Sequence, residues 1–138
     1  MSFIKKIKND SQYCLSIILS LISIHSFIVG IGLIFFSGNL IEYLGFQFVN
    51  ERFFQVQGGV FHVIMSICYL LPVLEYKKYE SLIIFSIIIK LCATTFLMIY
   101  FLFVDSILLI LLSGIGDGAM AIALIFAYRS NKYRNPEK

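Results

Sequence analysis

Three ionisable side chains, those of Lys90, Asp117 and His62, lie deep inside apolar stretches of this sequence. Ionisable groups are costly at membrane depth, so they usually pair with one another or mark a ligand site or a proton path. A lysine and an aspartate on neighbouring segments can neutralise each other by forming an ion pair. A histidine beside them can share a proton or contact a ligand, because its ordinary pKa lies near neutrality.

Each of these residues also has a purely structural explanation. A buried Lys90–Asp117 pair can fix the register of two helices, and loss of one partner typically costs ~3–5 kcal/mol because the other charge is left alone. His62 can be a hydrogen-bonded core residue. The sequence therefore leaves both a structural and a functional role open for the pair and for the histidine.

Four apolar spans must position these residues. Each is long enough to cross ~30 Å of hydrocarbon at ~1.5 Å per residue. The segment between the first two spans mixes glycine, asparagine, glutamate and aromatic residues, which predicts a short helix at the membrane surface. We predict a single domain over residues 1–138, with spans at 13–36, 56–74, 82–104 and 107–128, an interfacial segment at 37–55 and a polar tail at 129–138.

The composition is typical of a membrane protein. Of the 138 residues, 59% are hydrophobic and 14% are charged, and the mean hydropathy is +0.91. Too few polar residues remain to cover the surface of a soluble domain. The basic residues form short groups beside the apolar spans rather than an extended face, so the expected partner is the lipid bilayer and not nucleic acid.

The placement of lysine and arginine predicts the orientation. If the N-terminus is cytoplasmic, Arg52 is the one cation in the outer connections, and Lys90 lies within the membrane. The inner side then holds the other nine cations: Lys5, Lys6, Lys8, Lys77, Lys78, Arg129, Lys132, Arg134 and Lys138. This asymmetry follows the positive-inside rule. We therefore predict an all-α, antiparallel four-helix transmembrane bundle with both termini in the cytoplasm.

Counting residues places the polar groups at one depth. Lys90 lies ~12 Å and Asp117 ~15 Å above the inner ends of their spans, since a helix rises ~1.5 Å per residue. Polar and small residues of the second span recur at intervals of three and four, so they share one helix face: Arg52, Gln55, Gly59, His62, Ser66 and Tyr69. We predict that this face points into the bundle. The predicted intramembrane polar site comprises His62, Lys90, Asp117, Gln55, Arg52, Ser66 and Thr94.

The first span presents two opposed faces. One is small and polar, and consists of Ser16, Ser20, Ser23 and Gly30. His25 lies ~200° around the helix from Ser23. We expect the serine face to pack on a neighbouring helix, and the sequence leaves open whether His25 also faces the bundle.

Small residues also mark the fourth span. Gly114 and Gly118 are four residues apart, a spacing that lets another helix approach closely. The glycine-rich run around Asp117 is not a phosphate loop, because it has no Walker lysine and lies at membrane depth.

No catalytic or metal-binding motif stands out. Cys14, Cys68 and Cys92 lie in or at the edge of apolar segments, without a histidine at metal-ligand spacing, which predicts buried, reduced thiols. The chain shows no Ser–His–Asp order, no HExxH motif and no paired carboxylates. We expect no catalytic residue, no metal ion and no cofactor.

Between residues 51 and 128 the sequence contains Arg52-x-x-Gln55, Gly58-Gly59, Tyr69-Leu70-Leu71-Pro72, Lys90 and Gly116-Asp117. With these motifs it resembles DoxX-like proteins, which are small four-helix bacterial membrane proteins. The resemblance implies a four-helix fold in a bacterial cytoplasmic (inner) membrane. Members of the group resemble accessory subunits of quinone-linked or redox membrane systems, but this chain has no recognisable haem or flavin motif.

Three functions are compatible with this pattern. The first, which we favour, is a non-catalytic accessory or partner-binding subunit, whose partner is another membrane protein or a second copy of the chain. The second is a binder or carrier of a small amphipathic molecule, such as a quinone or a lipid, in a pocket lined by His62, Lys90 and Asp117. The third is a proton-coupled transporter, which would act as an oligomer because four spans are few.

Overall fold

The computed structural model describes residues 2–47 and 51–134 of the chain, and the side chains of residues 11–47 and 51–133. Within these residues the fold is all-helical. The elements are α1 (Ser2–Phe35), α2 (Gly38–Tyr43), α3 (Phe53–Leu74), α4 (Glu80–Phe103) and α5 (Leu108–Arg134). The helices α1, α3, α4 and α5 are each long and apolar enough to cross a membrane.

The four long helices form a bundle built from two close pairs. α1 packs most extensively on α3, and α4 packs most extensively on α5. The pairs are joined by a smaller contact between α1 and α5 and by the smallest one between α3 and α4. Ser11 of α1 meets Ser130 of α5, and Tyr128 of α5 meets Glu80 at the start of α4, so these residues lie with the α3–α4 turn at one end of the bundle, which we call the terminal end. α2 and the α4–α5 turn lie at the other end, the connection end.

The first and last long helices, α1 and α5, extend beyond the predicted spans. α1 begins at Ser2 rather than at residue 13, and α5 continues through Arg134 rather than giving way to a tail at 129. The continuation of α5 has a packing reason, because Asn131 is fully buried and Ser130 meets Ser11 of α1. The side chains of Lys5, Lys6 and Lys8 and all of residues 135–138 lie outside the described parts of the chain.

The connection between α1 and α3 contains the expected short helix. Ser37 caps α2 by accepting a hydrogen bond from the Leu40 amide at 3.4 Å. The helix ends at Tyr43, and the positive φ of 95° at Gly45 turns the chain so that the Gly45 and Phe46 amides donate to the Glu42 and Ile41 carbonyls. Residues 48–50 of the predicted interfacial segment lie outside the described residues, and α3 begins at Phe53 rather than at residue 56.

The apolar core lies in the terminal half of the bundle. Its buried members come from all four long helices: Leu15, Leu19, Ile22, Tyr69, Ile83, Leu124 and Ala127. Toward the connection end, the buried residues include Gly30 and Gly59 at the α1–α3 interface and Ile107 and Ile110 near the start of α5, and Ile107 lies against Gly45 of the α1–α3 connection. The apolar cluster to which all four long helices contribute therefore lies in the terminal half.

The cysteine prediction is wrong for two of the three thiols. Cys14 and Cys92 are exposed and Cys68 is half-buried, and all three are free. The reason is that a membrane helix is apolar on its outer face as well as on its inner face, so an apolar neighbourhood in the sequence does not indicate burial.

Candidate functional site

Lys90 and Asp117 form the expected ion pair between α4 and α5. The Lys90 ammonium donates a hydrogen bond to Oδ1 of Asp117. The two side chains are 4% and 13% exposed, so the lysine is enclosed while the carboxylate keeps a small accessible surface. The ammonium also lies 5.7 Å from the centre of the buried Tyr69 ring, a cation–π distance. The pair is thus neutralised and held inside the bundle.

Small residues of α5 allow α4 to come close enough for this pair to form. A Cβ atom at Gly118 would lie 3.3 Å from Thr94 Cγ2, and one at Gly114 would lie 3.2 Å from Met98 Sδ. The predicted close approach of a helix at these glycines is confirmed, and the approaching helix is α4. Ile83, Ser86 and Lys90 are buried at spacings of three and four on the facing side of α4.

His62 is held by α1. Ser26 Oγ lies 3.3 Å from Nδ1 of His62 and donates a hydrogen bond to the His62 carbonyl at 3.0 Å. One turn away, Ser23 donates to the Ser66 carbonyl at 2.7 Å. Both serines are buried, so the serine side of α1 packs on α3 as expected.

These contacts bring polar groups of all four long helices to one level. His62 interacts electrostatically with Lys90, with Asp117 and with His25 of α1. We call the set His25, Ser26, His62, Lys90 and Asp117 the polar layer. It lies just above the apolar core on the side of the connection end, since Ile22 and Tyr69 are the core residues nearest to it in their helices.

Arg52 and Gln55 are placed elsewhere. Arg52 Nη2 donates to the carbonyls of Ile34 and Phe36 at 3.1 and 2.7 Å. Gln55 Nε2 donates to the Leu33 and Phe36 carbonyls at 2.8 and 3.2 Å. The last carbonyls of a helix have no partner within it and attract a cation, so these two side chains terminate α1 rather than line the polar layer.

The hydroxyl groups of Ser66 and Thr94 donate hydrogen bonds within their own helices. Ser66 donates to the Val63 carbonyl at 2.6 Å, and Thr94 donates to the Lys90 carbonyl at 2.8 Å. Of the predicted site residues, the structure therefore brings His62, Lys90 and Asp117 together. Thr94 lies one turn from Lys90, and Ser66 lies one turn from His62.

Sequence reasoning did not identify Ser26 as the partner of His62, although its spacing of three from Ser23 places both on one side of α1. It also missed a second polar cluster at the terminal end. There Tyr128 donates to Glu80 Oε1 at 2.7 Å, and Lys132 lies 3.3 Å from the same oxygen. Burial raises the pKa of nearby Tyr76, and the Glu80 charge raises it further. A glutamate at the start of one helix and a lysine in the last turns of the next were the available signal.

Two further findings bear on function. Among the side chains that the structure describes, no group of three or more His, Cys, Asp or Glu residues is arranged to hold a metal ion. Comparison of the chain with protein-family models, with curated proteins and with solved structures found no match.

Proposed function

We propose that the chain is an integral protein of a bacterial cytoplasmic membrane, folded as an antiparallel bundle with both termini in the cytoplasm. Contacts between neighbouring helices support the antiparallel arrangement, because residue numbers rise along one helix as they fall along the next. Ser23 meets Ser66 and Ser26 meets His62 in one pair, and the other pair follows the same order. The cation asymmetry and the DoxX-like resemblance support the membrane and the orientation.

Single-cysteine labelling tests the orientation. In a variant with all three native cysteines replaced by serine, we expect Gln47→Cys to react with a membrane-impermeant maleimide added to intact spheroplasts. We expect Lys77→Cys, at the terminal end, to react only after the cells are opened. The reverse pattern would contradict the proposed orientation.

Within that membrane we propose a non-catalytic accessory subunit that binds a membrane-protein partner or a second copy of itself. The observation that carries this proposal is that these polar side chains form their hydrogen bonds and ion pair with other groups of the same bundle. Lys90 is bonded to Asp117, Ser26 to His62, and Arg52 to the end of α1. What the protein offers outward is therefore mainly apolar helix surface, which is suited to packing against other membrane helices.

Native mass spectrometry in nanodiscs formed directly from cell membranes tests this role. We expect a complex of fixed stoichiometry that is heavier than the 15.8 kDa chain and keeps its composition over a wide range of expression levels. A single-chain mass at every expression level, with in-cell crosslinking giving the same answer, would count against the accessory role.

A second function, binding of a small amphipathic molecule such as a quinone or a lipid, is favoured by one specific observation. Asp117 keeps 13% of its side-chain surface exposed while its partner Lys90 keeps 4%. Beside it, a Cβ atom built at Gly116 would meet no atom within 4 Å. Asp117 is therefore the member of the pair that a ligand can reach, and Gly116, its neighbour in the sequence, leaves open space on its own side of α5.

Extraction of protein purified in mild detergent tests this second function. We expect a bound small molecule in organic extracts of the native chain, and its loss from the double variant Lys90→Met/Asp117→Leu, which keeps the helices apolar. Equal recovery from both proteins would mean that the extracted molecule is bulk lipid.

A further inference from the structure

The contact between α1 and α5 changes along its length. At the terminal end it is closed, with Ser11 Oγ donating to Ser130 Oγ at 3.5 Å. In the next turns, residues of both helices such as Ile22 and Leu124 are buried in the apolar core. Above the core, at the level of the polar layer, His25 of α1 is exposed and the space beside Gly116 of α5 is open.

Helix geometry places His25 and Gly116 at the same position along this contact. His25 follows Ser11 by 14 residues, and Gly116 precedes Ser130 by the same number. Fourteen residues advance ~21 Å and fall only ~40° short of four full turns. His25 therefore shares the α5-facing side of α1 with Ser11, and Gly116 shares the α1-facing side of α5 with Ser130.

The ion pair beside this opening carries no net charge. The Lys90 ammonium and the Asp117 carboxylate cancel, and Lys90 is enclosed while part of Asp117 is accessible. His25 and His62 interact electrostatically with each other, and His62 does so with the pair. Carboxylate oxygens are hydrogen-bond acceptors. An uncharged head group that donates a hydrogen bond fits such a pair, whereas a charged head group would find no net opposite charge.

We propose that the opening between α1 and α5 at His25 and Gly116 is a lateral binding site for an uncharged amphiphile with a hydroxyl head group, such as a fatty alcohol or a diacylglycerol. The hydroxyl donates to the accessible part of Asp117. The apolar chain lies toward the connection end, beside exposed apolar side chains such as Ile28 and Leu112. This site rests on the second function proposed above, and it specifies the ligand class and the side of access.

Photo-crosslinking with two probes of equal chain length tests the proposal. The probes are a diazirine-bearing hexadecanol and the corresponding diazirine-bearing hexadecanoic acid, each added to the full chain in phosphatidylcholine nanodiscs. We expect the alcohol to label the peptides that contain His25 and Gly116 at least fivefold more than the acid does. Equal labelling by alcohol and acid would overturn the proposed ligand class.

A plug variant tests the location. Gly116→Leu fills the opening from α5, and we expect it to fold, because its Cβ meets no atom within 4 Å, and to lower alcohol labelling of these peptides at least fivefold. Cys92→Leu adds bulk at an exposed position of α4, which takes no part in the α1–α5 contact, and should leave labelling unchanged. His25→Phe fills the same opening from α1. If Gly116→Leu lowers the melting temperature, alcohol labelling of His25→Phe tests the location instead. Labelling that survives both plugs would overturn the site.

The outcomes separate this site from the broader binding function. If labelling fails while the native chain still carries an extractable molecule that the Lys90→Met/Asp117→Leu variant loses, the bundle binds a ligand of another class or elsewhere. If neither labelling nor an extractable molecule is found, both proposals are overturned.

Discussion

The two helix pairs of this bundle are held together in different ways. Between α1 and α3, the backbones touch: a Cβ atom at Gly59 would lie 2.7 Å from the Gly30 carbonyl oxygen. Most of the polar contacts across that interface end on backbone carbonyls, as from Ser23 to Ser66. Between α4 and α5, glycines instead face side chains such as Thr94, and the central polar contact is an ion pair.

This difference separates a steric interface from an electrostatic one. Backbone contacts tolerate almost no added volume but do not depend on charge, whereas an ion pair depends on both partners being charged. The buried ion pair thus lies on the α4–α5 side, while the α1–α3 pair, joined through backbone contacts, carries His25 and His62. Four measurements would break or sharpen this contrast.

The largest effect should follow from removing one member of the ion pair. We expect Lys90→Met alone to lower the unfolding free energy by ~3–5 kcal/mol, because Asp117 would remain buried without its cation. Adding Asp117→Leu should restore most of that loss. Unfolding by a denaturing detergent measures each variant. A double variant no more stable than the single one would show that the pair does not act as a charge-neutralising unit.

The next largest effect should come from Gly59→Ala. Its added methyl would lie 2.7 Å from the Gly30 oxygen and from Ile34 Cγ1, and overpacking of this kind costs ~1–3 kcal/mol. Gly58→Ala is the matched control, because its nearest atom, Leu33 Cδ1, lies 4.0 Å away. Gly118→Ala should be milder, since it meets a threonine methyl at 3.3 Å rather than backbone. Equal melting temperatures for Gly58→Ala and Gly59→Ala would show that close backbone packing does not limit the α1–α3 interface.

A smaller loss should follow from Ser23→Ala. Hydrogen bonds between membrane helices average ~0.6 kcal/mol, and the acceptor here is a backbone carbonyl that also serves α3. Ser113→Ala, at an exposed position of α5, should change stability less. A loss for Ser23→Ala as large as that for Lys90→Met would mean that hydrogen bonding, rather than backbone packing, dominates the α1–α3 interface.

The smallest effect should come from the Glu80–Tyr128–Lys132 cluster at the terminal end. Lys132 is exposed, and exposed ion pairs contribute little and are screened by salt. We expect Glu80→Gln to lower the melting temperature slightly at low ionic strength and not at all in ~1 M salt, where the Debye length is ~3 Å. The effect of Lys90→Met should persist at high salt, because that pair is enclosed. Equal salt sensitivity of the two effects would show that the Lys90–Asp117 pair is screened by solvent ions as the Glu80–Lys132 pair is.

The fold class and the central pair were within reach of the sequence. Span lengths follow from hydrophobic runs, and depth follows from counting residues, so Lys90 and Asp117 could be placed opposite each other. The spacing of three and four residues identified the polar face of the second span. Spacing alone does not show which helix that face contacts. That face packs on α1, so Arg52 and Gln55 cap a helix end instead of joining the polar layer.

Burial and helix ends were less accessible to sequence reasoning. In a bilayer both faces of a helix are apolar, which is why the exposed positions of Cys14 and Cys92 could not be recognised. The continuation of α5 to Arg134 depends on tertiary packing around Asn131. Proton-coupled transport stays a prediction, as does the DoxX-like relationship.

The ion pair has a consequence for how the chain is made. Asp117 follows Lys90 by 27 residues, so at ~5–20 residues per second the ribosome completes the lysine roughly 1–5 s before the aspartate. During that interval the third span carries an uncompensated charge, which disfavours its release into lipid on its own. We therefore expect α4 to remain beside the translocon until α5 emerges, so that the two helices enter the lipid as one hairpin after the α1–α3 pair.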